Sequence, residues 1–255
     1  APAPRGSVPA GLIPLGPPPL PGLLHLAQAH GVPTLALGSV RAPAVHEALR
    51  ALSPELVCVA CWPWRIPPTL LAVPCLGFLN LHPAPLPELR GPAPLFWAFQ
   101  QGRASTAVTL HWMDAGLDTG PIALQAPLEL PVGLDWETAE QQAAGLGAAL
   151  LRELLARLAA GVVPRRPQGS GGSYLPTPGM ADFAVDPGWP AERAFRFMRG
   201  TAAWGHAYRL PAMLGAPLLS TALAYEPTGS LNAPLVVEGQ IVRVQMTPGI
   251  LVARC

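Results

Sequence analysis

The chain has 255 residues, long enough to bury a sizeable core and to form one large or two modest domains. Half of the residues are hydrophobic and 12% are charged, yet every window of ~20 residues is broken by a charge, a proline cluster or a turn signal, a pattern that excludes a transmembrane helix. All 16 basic residues are arginine; residues 1–160 hold eight of them against ten acids, a balance of −2, and residues 161–255 hold eight against five, a balance of +3, so the C-terminal part is the better candidate for meeting a polyanion.

The N-terminus, "APAPRGSVPAGLIPLGPPPLPG", has eight prolines in its first 21 residues, which interrupts the apolar segment a signal peptide needs; a soluble cytoplasmic protein is expected. "LPGLLHLAQAHG" has helical apolar spacing and stops at Gly31, and "VPTLAL" follows as a short strand. "APAVHEALRAL" then reads as a helix, "ELVCVAC" as a strand, "PPTLLAV" as a short helix and "CLGFLNLH" as a strand. "APLFWAFQQG" is a helix ending at Gly102, and "TAVTLHWM" and "PIALQAPLEL" are strands. Near-continuously apolar strands alternating with helices predict an α/β, mainly parallel Rossmann-like sheet covered on both faces.

From Trp136 to Ala160 apolar residues recur at every third or fourth position, which predicts one long amphipathic helix closing a first domain over residues 1–160. Residues 161–180, "GVVPRRPQGSGGSYLPTPG" and the residue after it, are rich in Gly, Pro and Ser and read as a linker. Over 181–255, "PAERAFRFMRG" is a short helix, and "APLVVEGQIVRVQM" and "GILVARC" are strand-like, predicting a small β-rich, OB-like domain. Four cysteines include one C-x-x-C pair, Cys58 and Cys61, inside an apolar run that reads as a buried strand; with no second ligand pair, structural cysteines are expected rather than a metal or redox site.

Chemistry concentrates at "NLHPAPLPELRG", residues 80–91. Strand side chains two apart share a face, so Asn80 and His82 stand together at the carboxyl end of a strand, where open α/β sheets place their ligands. The amide can donate to a developing oxyanion and the imidazole can handle a proton near neutrality, while the prolines that follow stiffen the turn. In "MDAGLDTG", residues 113–120, Asp114 and Asp118 follow another strand, and Gly116 and Gly120 permit a tight loop back toward the sheet end. A carboxylate delivered there can orient the imidazole or move a proton.

Taken together, "NLHPAPLPELRGPAP" and the later "GLDTG" resemble the 10-formyltetrahydrofolate-dependent formyltransferases, and most closely their methionyl-tRNA formyltransferase branch. The likeness extends through "LGFLNLH", "YLPTPGMADFAVDPGWPAERAFRFMRG" and the terminal "GILVARC". It implies transfer of a formyl group from 10-formyltetrahydrofolate to a primary amine, with Asn80, His82 and Asp118 as the catalytic set. Asn80 and a protonated His82 would stabilise the oxyanion while Asp118 orients the ring. It further implies that Ala84, Pro85, Leu86 and Pro87 line the folate, that Arg90 and Gly91 match the family's Arg-Gly, and that no metal is needed.

The resemblance has no counterpart here for the strand, Gly-rich turn and helix that open family members. "WPWRIP", with Pro63, Trp64 and Arg65, replaces the usual loop beside the pteridine, and the basic character of the tRNA-facing loop shrinks to Arg5. Arg165, Arg166, Arg193, Arg196 and Arg199 are the candidates for meeting tRNA phosphates, the last three falling along one side of a short helix. Two other readings remain open from sequence: a catalytically silent relative that keeps the scaffold, and a formyltransferase acting on a sugar-nucleotide amine.

Overall fold

The computed structural model describes residues 21–34, 39–60, 62 and 64–255. The proline-rich start with Arg5, the second half of the strand expected over "VPTLAL", Cys61 and Pro63 lie outside the described residues.

Proline supplies the helix starts: α1 (Pro21–Ala29), α2 (Pro43–Leu52), α3 (Pro68–Leu71) and α4 (Pro94–Gln100) each begin with one. At that position its fixed φ suits the first turn, and the N–H it lacks has no helical partner to lose. The strands β1 (Leu56–Ala60), β2 (Gly77–His82), β3 (Ser105–Trp112) and β4 (Ile122–Glu129) form one sheet in that spatial order. The α/β class is as expected, with β1 and β2 parallel across α3, but β3 and β4 run antiparallel to their neighbours. A continuously apolar run such as β3, buried at every residue after Ser105, reports two covered faces and not a direction. The short loop from β3 to β4 needs no crossover helix and suits that antiparallel pair.

Strand β1 is the edge of this described sheet and alternates between half-buried and exposed. The buried environment expected for Cys58 is therefore not found: it is free and exposed, as are Cys75 and Cys255 elsewhere in the chain.

Alternation along β2 sorts its side chains. Leu79 and Leu81 pack with Val108, Leu110, Trp112 and the helix α5 (Trp136–Ala159), whereas Phe78 packs with Val45, Leu49 and Leu70 on the opposite side. Asn80 and His82 share the face of Phe78. α5 is capped by Asp135, whose carboxylate accepts from the Thr138 amide at 2.8 Å. Its buried stripe, Ala139, Ala143, Gly147, Leu150 and Leu154, follows helical periodicity. Gly147 lets the helix lie close on β2, for a Cβ there would fall 2.1 Å from Leu81 Cδ1.

Beyond α6 (Ala191–Thr201), strands β5 (Thr221–Glu226), β6 (Leu235–Glu238), β7 (Ile241–Gln245) and β8 (Ile250–Arg254) form the β-rich part, an antiparallel sheet in the order β5-β8-β7-β6. One apolar cluster joins Phe96 of α4 to Phe183, Phe197, Tyr208, Val242 and Leu251. The core thus runs continuously from the α/β part into the β-rich part. Among the described residues no helix is long and apolar enough to cross a membrane.

Candidate active site

The end of β2 and the loop between β3 and β4 converge. Asn80 is paired directly across the sheet with His111 of β3, and His82 with Thr109. Asn80 Nδ2 lies 3.2 Å from His111 Nε2 and donates to Asp118 Oδ1 at 3.4 Å. Asp118 Oδ1 is also 3.9 Å from His82 Nδ1 and 3.5 Å from His111 Nε2, while Asp118 Oδ2 accepts from the Gly91 amide at 2.9 Å. Asn80, His82 and His111 are all buried.

Hydrogen bonding fixes the ring protons. His82 Nε2 is 2.9 Å from the Leu89 carbonyl, which can only accept, so Nε2 carries the proton and Nδ1 faces Asp118. His111 Nδ1 likewise donates to the Trp112 carbonyl at 3.1 Å, which in the neutral ring leaves Nε2 to accept from Asn80. The second hydrogen of the Asn80 amide is held only by the long contact to Asp118, and Asn80 Oδ1 is buried without any partner. A buried acceptor left unmatched is costly unless a ligand supplies its donor.

Burial pushes the His82 pKa down, reinforced by His111 and opposed by the Asp118 carboxylate and the Leu89 hydrogen bond, with a net lowering from 6.5. The resting ring at neutral pH is therefore uncharged, and the protonated His82 that the resemblance implies is not the resting form. For Asp118, burial alone would raise the pKa, but the neighbouring His111 and His82 rings and the hydrogen bond from the Gly91 amide outweigh it and hold the carboxyl below the usual carboxylate range. Asp114 is not part of this cluster. It accepts from the Gly116 amide at 2.9 Å and from Thr119 Oγ1 at 2.6 Å, shaping the loop that carries Asp118.

The turn after His82 is braced from beneath. Thr109 Oγ1 donates to the Ala84 carbonyl at 2.6 Å and Gln125 Nε2 to the Leu86 carbonyl at 3.1 Å. Ala84 and Leu86 are buried, whereas Pro85 and Pro87 are half-buried. Of the four residues expected to line a ligand, the two prolines are the ones left partly open. In the "WPWRIP" loop, Trp64 is exposed and edge-on to Trp62 at 5.1 Å.

The candidate phosphate-binding arginines separate. Arg193 Nε donates to the Gln100 carbonyl at 3.1 Å and its guanidinium covers Trp189 at 3.9 Å. Arg196 donates to the Leu130 carbonyl at 2.6 Å and pairs with Glu192 at 2.7 Å. Arg165 covers the Trp112 ring at 4.2 Å and donates to the Leu76 carbonyl at 2.9 Å. Arg166 uses its backbone to pair with Ile122 and leaves its side chain exposed; Arg199 is half-buried.

Sequence reasoning missed His111 and Gln168. His111 lies inside an apolar strand, and its place opposite Asn80 becomes visible only once the antiparallel register is known. Gln168 lies in the Gly/Pro-rich stretch, which carries no periodic signal, yet it hydrogen-bonds to Arg90, Asp118 and Gly120.

Fold and site together define an α/β protein with an amide, two imidazoles and a carboxylate gathered at a strand end, an arrangement suited to group transfer at a carbonyl carbon. The chain belongs to the formyl transferase family, whose model matches residues 26–155. It is 38% identical over 199 residues to a methionyl-tRNA formyltransferase of Pelobacter propionicus, an alignment covering 74% of this chain and 62% of that protein; the chain spans about three fifths of that relative's length. Among solved structures it is similar to HypX from Aquifex aeolicus, with a TM-score of 0.65 at 19% identity over 96% of this chain and 45% of the other. It is also similar to PseJ from Anoxybacillus kamchatkensis, solved with a UDP-sugar and tetrahydrofolate, with a TM-score of 0.51 at 21% identity over 66% of this chain and 86% of the other.

Proposed function

We propose that the protein transfers the formyl group of 10-formyltetrahydrofolate to the amino group of initiator methionyl-tRNA, in the cytoplasm, with Asn80, His82 and Asp118 as its catalytic residues. The observation that carries this reading is the buried convergence of these three side chains, with Asn80 Oδ1 unpartnered among them. Family membership and the methionyl-tRNA formyltransferase relative support the choice of reaction and acceptor. The tetrahydrofolate held by the structurally similar PseJ supports the donor.

The neutral amine attacks the formyl carbon, forming a C–N bond while the carbonyl electrons move to oxygen. The loosely held second hydrogen of Asn80 Nδ2 donates to that oxyanion, and Asn80 Oδ1 accepts from the incoming amine. His82 Nδ1 takes the proton the amine releases, and the imidazolium so formed is stabilised by Asp118. As the carbonyl re-forms, the bond to folate N10 breaks and N10 receives the proton. Pro85 and Pro87 present a rigid apolar edge to the folate, and Arg166 and Arg199 are the arginines best placed to meet tRNA phosphates.

The test is to incubate the purified chain with 10-formyltetrahydrofolate and either charged initiator methionyl-tRNA or an amino-sugar nucleotide. Formyl-methionine formed with the tRNA upholds the reading. Formylation of the sugar alone transfers the acceptor assignment, and absence of turnover with both overturns the reaction.

A further inference from the structure

Part of the stretch that reads as a linker is laid across the site. Arg166 and Ile122 exchange backbone hydrogen bonds of 2.8 and 2.9 Å. Further on, the Leu89 amide donates to Ser173 Oγ at 3.0 Å, the Arg90 amide to the Ser173 carbonyl at 2.9 Å, and the Leu175 amide to the Arg90 carbonyl at 2.8 Å. Between these anchors Gln168 is fully engaged. Its Oε1 accepts from Arg90 Nε at 3.2 Å and Nη2 at 2.7 Å, and its Nε2 donates to the carbonyls of Asp118 and Gly120, both at 2.8 Å.

Two of the residues that this strap touches have left-handed backbone. Among the described residues three that are not glycine have positive φ, and two of them are Leu89, at 54°, and Asp118, at 55°. That left-handed conformation is disfavoured for a residue with a side chain, more for Leu than for Asp, so it persists where surrounding bonds enforce it. Each strained residue also holds one half of the site. The Leu89 carbonyl accepts from His82 Nε2, and the Asp118 side chain meets Asn80, His82 and His111.

We propose that Gln168 and Ser173 are positioning residues: the carboxamide of Gln168 holds the Asp118 main chain in its left-handed conformation and steadies the Arg90–Gly91 turn, while Ser173 holds Leu89 under His82. This rests on the proposed formyl transfer for its kinetic consequence and on the geometry alone for its structural one. Neither residue touches the reacting atoms. Without the Gln168 donors, two carbonyls lose their partner and Asp118 is free to relax, which swings its carboxylate away from the amide and the rings.

Two variants separate this role from simple stabilisation. Gln168→Glu keeps an acceptor for Arg90 but turns an oxygen toward two carbonyl oxygens, and Ser173→Ala removes the acceptor for the Leu89 amide with little change of volume. In the full chain, at a temperature where both remain folded, kcat is expected to fall on the order of 10- to 100-fold, as small misplacements of reacting groups do, with KM for folate and acceptor little changed. The ring-nitrogen NMR shifts at fixed pH should move for His111 in Gln168→Glu and for His82 in Ser173→Ala. If the unmodified chain fails to transfer formyl groups, the proposed reaction fails, while the ring shifts still decide the positioning role. Unchanged ring shifts overturn it, and so does a lowered Tm accompanied by wild-type rate and ring shifts.

Discussion

The side-chain amide of Asn80 lies 3.2 Å from His111 Nε2, across a directly paired position of β2 and β3, which puts a residue outside the motif into the same buried network as Asp118. His111 gives Asn80 its fixed orientation, since its Nδ1 is committed to the Trp112 carbonyl and its Nε2 then faces the amide. His111→Ala leaves the Asn80 donor with only the long bond to Asp118, and losing a buried partner of this kind costs about 1–3 kcal/mol. A denaturant titration is expected to show that loss, with His111→Gln retaining part of the stability because it can again accept from Asn80.

Close contact between α5 and β2 makes a second prediction. Gly147→Ala brings a methyl to 2.1 Å from Leu81 Cδ1; the clash costs about 1–3 kcal/mol, against a helix-propensity gain of roughly 1 kcal/mol. Net destabilisation is expected, together with a rate loss, because Leu81 sits between Asn80 and His82. Gly145, on the same helix with nothing within 4 Å of its would-be Cβ, is the control: Gly145→Ala is expected to stabilise. Comparing the two melting temperatures checks both signs.

The same network makes the fold sensitive to acid. His82 has its pKa lowered in the folded state, chiefly by burial, so below about pH 6.5 the unfolded chain takes up a proton that the folded chain resists. Stability falls through that window and levels only once the folded ring protonates. Asp118, also lowered, contributes stability that is present above about pH 4 and is lost as pH falls through its folded value. Unfolding free energy measured by denaturant is expected to be flat between about pH 7 and 8 and to decline below about pH 6.5, and His82→Gln is expected to flatten the upper part of that decline.

The arginines divide by their engagement. Arg196, tied to the Leu130 carbonyl and Glu192, is expected to lower stability when changed to Ala while leaving tRNA affinity at a folded temperature nearly intact. Arg166→Ala is expected to weaken tRNA binding and to reduce the slope of log affinity against log salt by about one. Filter binding across a salt series distinguishes the two.

Much of this was legible in the chain. The Asn80–His82 pair could be read because a strand's period of two fixes which side chains share a face; Gly116 and Gly120 marked a returning loop with two acids, and only the resemblance of "GLDTG" to the family singled out Asp118 over Asp114. The long α5 was announced by its apolar stripe. The direction of β3 was hidden because burial on both faces erases the alternation that would distinguish strand types. His111 and Gln168 were hidden for a related reason: each acts through a register or a crossing that brings distant segments together, and neither carries a local signal. Cys58 was misplaced because an apolar run looks the same whether its strand is central or at an edge.

Single-turnover formyl transfer by Asp118→Asn is the most direct test of the proposed catalytic centre, because the substitution keeps the shape, removes the charge and leaves only one of the two accepting oxygens that meet Asn80 and the Gly91 amide. With folate affinity retained, the rate is expected to fall at least about 100-fold, the scale on which loss of one electrostatic or proton-handling group is felt. A rate equal to that of the unmodified chain would contradict the assignment of this cluster to catalysis.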